Sequence, residues 1–173
     1  MSHSKEYIVK FSGLAVGEHV FELSIKDPFF EDLAYSEIKR GDIKVKLSLL
    51  KRSNMMVLTF EIGGTVKANC DRCAAEFDLP INGNYELIVK IGDYDVSGED
   101  DDIISVGASE SKIDLSSHLY EYIMISLPFK REHTKVEECD KKVLAKLNEL
   151  LVEEDIKKPI DPRWDDLNKI ELN

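Results

Sequence analysis

Residues 55 to 91 read MMVLTFEIGGTVKANCDRCAAEFDLPINGNYELIVKI, and the rest of the chain is arranged around them. Before the cysteines the apolar or small residues are Met56, Leu58, Phe60, Ile62, Gly64, Val66, Ala68 and Cys70. After them the phase inverts to Cys73, Ala75, Phe77, Leu79, Ile81, Gly83, Tyr85, Leu87 and Val89. A period of two on both sides predicts two half-buried strands joined as a hairpin. Folding at Asp71-Arg72 pairs Cys70 with Cys73, Ala68 with Ala75, Val66 with Phe77, Phe60 with Gly83 and Leu58 with Tyr85. All the apolar residues then share one face, and a slip by one residue would turn that face to water. A straight strand of this length would run roughly 50 Å at about 3.3 Å per residue. A compact chain of this size is only about 40 Å across, so the hairpin must curve. Gly63-Gly64 is where bending costs least, and Phe60 is expected to cover the bare backbone of Gly83.

Working outward, Ile43, Val45, Leu47 and Leu49 alternate with Asp42, Lys44, Lys46 and Ser48 as a third strand. A turn near Arg52-Ser53 joins it to the hairpin, with Leu49 expected against Met56 and Leu47 against Leu58. Tyr7 to Phe11 and His19 to Ile25 read as short strands around a Gly13 to Gly17 turn. Asp27-Pro28 opens a short helix expected to reach about Glu37. Ile103 to Val106 is one more short strand. Asp114 is positioned to cap a helix to about Ser126, with Leu115, Leu119, Tyr122, Ile123 and Leu127 as its apolar side and Pro128 at its end. Glu138 to Val152 predicts a second helix. In IDPRWDDLNKI, Asp161 caps, Pro162 sits in the first turn, and Trp164, Leu167 and Ile170 form a stripe. The expected architecture is one α+β domain spanning 1–173. Residues 1–40 carry N-terminal strands and a short helix, 41–110 an antiparallel meander, and 111–173 the helical cover and C-terminal helices.

The 173 residues carry a net charge of −11, with 43% apolar and 33% charged residues, as befits a globular protein with a sizeable core. No apolar run approaches the ~20 residues of a membrane span, and MSHSKEYIVKF has no signal-peptide core, so a cytoplasmic protein is expected. Three cysteines do not make a disulfide framework. The acidity argues against general nucleic-acid binding, which needs clustered Lys and Arg, and favours a basic protein partner.

Cys70 and Cys73 have the spacing to grip one zinc ion, and His133 and Cys139 are available to complete a tetrahedral set. The competing expectation is that the thiols merely close the hairpin. Thioredoxin-type redox chemistry is disfavoured, because that motif wants a helix N-terminus and this one sits in a β-turn. Asp93 to Asp102 holds six acids in ten residues and opens like a calcium loop. Its twelfth position is Ile104 where a bidentate Glu belongs, so a solvated acidic surface including Asp100, Asp101 and Asp102 is expected. Lys44, Lys46, Arg52, Lys67 and Arg72 fall on the outward face of the meander as a basic stripe; such a stripe can position RNA phosphates, but a solvated strand face with Lys as edge protection is the favoured expectation. No nucleophile–base set, P-loop or small-molecule motif can be assembled, and no enzymatic activity is expected.

The order of features resembles the YceD family, the large ribosomal RNA subunit accumulation proteins. The carriers are Cys70, Arg72 and Cys73; Ile113, Asp114 and Leu115; Leu127 and Pro128; and Asp161, Pro162 and Arg163, spanning roughly residues 40 to 170. The resemblance implies a bacterial-type cytoplasmic, non-enzymatic factor in large-subunit assembly, with no catalytic residues to carry over. The net charge ranks a basic large-subunit ribosomal protein ahead of ribosomal RNA as the partner of such a factor. Some relatives carry further cysteines after the leucine-proline pair and look like zinc proteins, whereas this chain has Cys139 and His133 there. The alternative is a zinc-binding cytoplasmic adaptor unrelated to ribosomes.

Overall fold

In the computed structural model, which describes residues 7–92, 94 and 102–151, the long alternating stretch forms β4 (Met55–Asn69) and β5 (Glu76–Ile91). They pair antiparallel along their whole length. Ahead of them come β1 (Ile8–Lys10), β2 (Gly17–Lys26), α1 (Asp27–Glu31) and β3 (Gly41–Lys51). After them come β6 (Ile103–Val106), β7 (Lys112–Asp114), α2 (Ser116–Ile125) and α3 (Lys141–Leu150). The five-stranded sheet has the order β2-β3-β4-β5-β6, so its first four strands form an antiparallel meander. It is an α+β fold whose sheet is curved and does not close.

One face of the sheet buries Ile43, Val45, Leu47, Leu49, Met56, Leu58, Phe60, Ile62, Val66, Leu79, Ile81, Leu87 and Val89, the alternating set of the sequence. The cover is α2, which brings Leu119, Tyr122 and Ile123 onto that face, with Leu115 buried just ahead of it. Phe29 and Phe30 of α1 join the same core. Burying about a dozen large side chains of this kind, at roughly 1.5–3 kcal/mol each, is the main force holding the sheet to its cover.

The strand faces are as expected, but the register is not. Phe60 lies opposite Tyr85, not Gly83; Leu58 opposite Leu87; and Val66 opposite Leu79. The hairpin is shifted by two residues because its connection is longer than a two-residue turn. The Cys70 N–H donates to Ala75 O at 2.9 Å, so Asp71 to Ala74 form the loop and Cys70 does not face Cys73. A slip of two keeps every side chain on its face, so alternation cannot detect it. The β3–β4 turn shows the same offset. Leu49 pairs with Leu58, Leu47 with Phe60 and Lys51 with Met56, around a turn closed by Arg52 N–H to Met55 O at 2.8 Å.

Other corrections follow from packing. The sheet is mixed, since β6 runs parallel to β5 with Ile88 beside Ile103. The strand β1 does not pair with β2 but with β7, Val9 opposite Ile113, in a separate two-stranded sheet. The first helix stops at Glu31, and the chain continues in turns so that Ser36 and Ile38 are buried; the Ser36 hydroxyl donates to Ile38 O at 2.5 Å. Asp114 ends β7 and accepts from Ser116 N–H at 2.9 Å and Ser116 Oγ at 2.6 Å, serving the first turn of α2 from just outside it. The helix expected from Glu138 begins at Lys141, where Asp140 caps it by accepting from Lys142 N–H at 2.8 Å. The anticipated Asp161-Pro162-Arg163 helix with Trp164, and Asp100 and Asp101, lie outside the described residues.

The predicted glycine bend is a point of close approach. A Cβ on Gly64 would run into the Asp42 carbonyl and lie 2.7 Å from Ile43 Cα, so β3 and β4 can touch there only with glycine. No helix among the described residues is long and apolar enough to cross a membrane.

Candidate metal centre at the hairpin tip

The β4–β5 loop is a one-turn knuckle. Ala74 N–H donates to Cys70 O at 2.7 Å, and Ala74 itself has φ 58°. That left-handed conformation ordinarily belongs to glycine, which the sequence lacks here. With the chain so wound, both thiols turn inward, and Cys70 and Cys73 are 2% and 3% exposed.

The segment after α2 returns to this tip and delivers the other two donors. His133 Nδ1 stands 3.7 Å from Cys73 Sγ and 3.6 Å from Cys139 Sγ. The ligand atoms of Cys70, Cys73, His133 and Cys139 all lie within 4.8 Å of one another. In a tetrahedral site with zinc–sulfur and zinc–nitrogen bonds of usual length, sulfur and nitrogen are about 3.6 Å apart and two sulfurs about 3.8 Å. Three thiols and one imidazole at such separations are a donor set that zinc takes in preference to hard cations, which want oxygen. The four residues anticipated from the sequence are thus brought together. Ala75, Phe77, Val143 and Leu144 wall the cluster, and the Phe77 ring lies 4.5 Å from that of His133.

Burial pushes the Cys70 thiol up, but backbone N–H groups of His133, Arg72 and Cys73 outweigh it and bring the thiol down to about 6. The Cys139 thiol is shifted the other way, by burial and by its bonding with Cys73 and Cys70, with Arg72 opposing. The knuckle therefore favours one thiolate before any metal arrives, which is the protonation state a zinc ligand needs.

Two further ties hold the returning segment. Asp71 N–H donates to Arg131 O at 2.8 Å, and Arg131 N–H donates to Asp71 Oδ2 at 2.8 Å. Arg72 donates from Nη2 to Glu132 Oε2 and from Nη1 to Cys139 Sγ at 3.7 Å. Sequence reasoning placed Arg72 on the outward basic face and missed these contacts. Its parity argument ends at Asn69, where β4 ends.

The remaining stripe residues do lie outside, and two of the four are in ion pairs. Lys46 Nζ is 3.0 Å from Glu61 Oε1 and Lys67 Nζ 2.8 Å from Asp78 Oδ1, and Lys44, Lys46 and Arg52 are all exposed. Asp102 is exposed beside the start of β6. Pro128 follows α2 on the surface.

No curated protein and no solved structure matches the chain. The model of one family, described as Large ribosomal RNA subunit accumulation protein YceD, matches residues 58–171. That span runs from near the start of β4 through the knuckle, the cover helix and the returning segment, and the chain therefore belongs to the YceD family.

Proposed function

We propose that the protein is a non-catalytic factor of large ribosomal subunit assembly, working in the cytoplasm, and that it acts by holding a basic ribosomal protein. Family membership supports the ribosomal role over an adaptor unrelated to ribosomes. The observation that carries the choice of partner is the charge arrangement. The chain has a net charge of −11, and half of its outward basic stripe is paired from within, Lys46 with Glu61 and Lys67 with Asp78. A cationic protein is attracted to such a molecule from every approach, whereas RNA is repelled at long range.

Isolation of the protein from cells, with its bound proteins and RNA identified before and after nuclease, tests this. A cationic large-subunit protein that survives nuclease is expected, with association slowed by salt and by Asp100→Asn, Asp101→Asn and Asp102→Asn together. A complex dispersed by nuclease, and weakened by Lys44→Ala, Lys46→Ala and Lys67→Ala but not by the Asp changes, would make ribosomal RNA the partner.

A second reading is carried by the four converging donors: Cys70, Cys73, His133 and Cys139 bind one zinc ion that clips the hairpin tip to the returning segment. Zinc supplies the cross-link and no chemistry at substrate. Elemental analysis of untagged protein should give about one zinc per chain, lost when Cys70→Ser and Cys73→Ser are combined. Well-folded, metal-free protein under reducing conditions would leave the thiols a packing role.

A further inference from the structure

The four residues of the knuckle, Cys70-Asp71-Arg72-Cys73, all engage the returning segment, but they do so in two ways. Asp71 grips the backbone of Arg131 and touches no sulfur. Arg72 reaches a sulfur. Its guanidinium lies between Cys139 Sγ, 3.7 Å from Nη1, and the Glu132 carboxylate, which accepts from Nη2. The Arg72 and Glu132 side chains are 27% and 31% exposed, so the ion pair sits at the water boundary, while Cys139 is 4% exposed.

Resting on the zinc reading above, we infer that Arg72 is a positioning residue for the metal, which sets a hydrogen-bonding guanidinium against a buried thiolate and fixes Cys139 for coordination. The charge balance is elementary. Three thiolates, one neutral imidazole and Zn²⁺ sum to one negative charge, held where all three sulfurs are buried. An unpaired charge in such surroundings is costly; a guanidinium against the sulfur stabilises it locally, and the Glu132 carboxylate on the far arm leaves the surplus negative charge at the water boundary. The planar fork matters as much as the charge. One arm bonds the sulfur while the other is oriented by Glu132, a geometry that a lysine ammonium on its flexible stem does not reproduce. Outer contacts of this kind typically change metal affinity about 10–100-fold.

The test measures zinc affinity on the full chain by competition with a chromophoric chelator, alongside the absorption spectrum of the cobalt(II)-substituted protein. Arg72→Gln should weaken zinc about 10–100-fold and alter the sulfur-to-cobalt band, and Arg72→Lys should recover part of the loss. Asp71→Ala removes the side-chain half of the neighbouring tie, the bond from Arg131 N–H, and alters no group bonded to a sulfur. It should lower thermal stability yet weaken zinc much less. Equal affinity in Arg72→Gln and wild type would overturn the inference while leaving the zinc site intact. So would an equal loss in Asp71→Ala, which would reduce Arg72 to a tether. A wild-type protein that takes up no zinc would overturn the zinc reading itself, and the inference with it.

Discussion

The ring of Tyr85 lies flat on that of Tyr122, centroids 4.6 Å apart and planes 1° from parallel, joining β5 to the cover helix. Tyr122 also tilts against Phe60 at 5.2 Å, so a single ring bridges the helix to both long strands. Removing it with Tyr122→Ala should cost about 3–5 kcal/mol in chemical denaturation, as expected for a buried aromatic.

The same ring carries an alkaline signature. Burial, and then the charges of Asp102 and Glu121, push the Tyr122 phenol up to about 12, against an ordinary value near 10. Below pH ~10 the group is neutral both folded and unfolded, and stability is unaffected by it. From about 10 to about 12 only the unfolded chain loses the proton, so stability falls as pH rises through that window. Tyr122→Phe keeps the ring and should flatten the fall. Denaturation midpoints across the alkaline range, with tyrosinate absorbance followed in parallel, measure it; an unchanged slope in the variant would place the titration elsewhere.

Gly83 sits opposite Ile62, and a Cβ there would fall 2.6 Å from both Ser126 Oγ and the Tyr85 ring. Tyr85 and Ser126 are themselves joined, hydroxyl to hydroxyl, at 2.9 Å. Gly83→Val should therefore destabilise by about 1–3 kcal/mol by overpacking, and separating the helix end from the strand should also disturb the Tyr85 near-ultraviolet signal.

At the knuckle, Ala74 holds φ 58° with a side chain that disfavours it. Ala74→Gly should stabilise by about 0.5–1 kcal/mol, the relief of left-handed strain exceeding the added chain entropy. A melting temperature raised by about 1–4 °C is expected. A lowered one would mean that the loop relaxes out of this conformation in solution.

Among the described residues, α3 meets the body through Val143 and Leu144 on the cysteine cluster, while Leu147, Leu150 and Leu151 are exposed. A ten-residue helix is marginal without packing. On the zinc reading, treating the metal-loaded protein with a chelator should raise amide exchange in Lys141–Leu150 while leaving β3, β4 and β5 protected. Uniform loss of protection would show instead that the site supports the whole fold.

Face and layer were legible in the chain because burial imposes a period of two on β3, β4 and β5, and α2 announces itself by Leu115, Leu119, Tyr122 and Ile123. Register was not. A shift by two leaves parity unchanged, and what sets it is the left-handed Ala74 and the turn before Met55, neither marked by glycine. The direction of β6 was equally hidden, since a run of four apolar and polar residues reads the same for parallel or antiparallel pairing. The donor quartet could be named from residue type alone, because few cysteines and histidines compete for the role. Arg72 could not, since strand parity has no authority in a loop where every side-chain direction is set by the knuckle.

The pairing of β1 with β7 bears on the order of folding. Ile8 meets Asp114 across roughly a hundred intervening residues, whereas every contact within β2 to β5 is between chain neighbours joined by short turns or by α1 and its following loop. Closing a flexible loop of that length from the open chain costs about 4 kcal/mol in entropy. Once the meander has zipped, most of that loop is already rigid and the remaining search is short. The sheet should therefore form early, from local hairpins, and Tyr7, Val9 and Phe11 should be among the last core residues to lose contact with water.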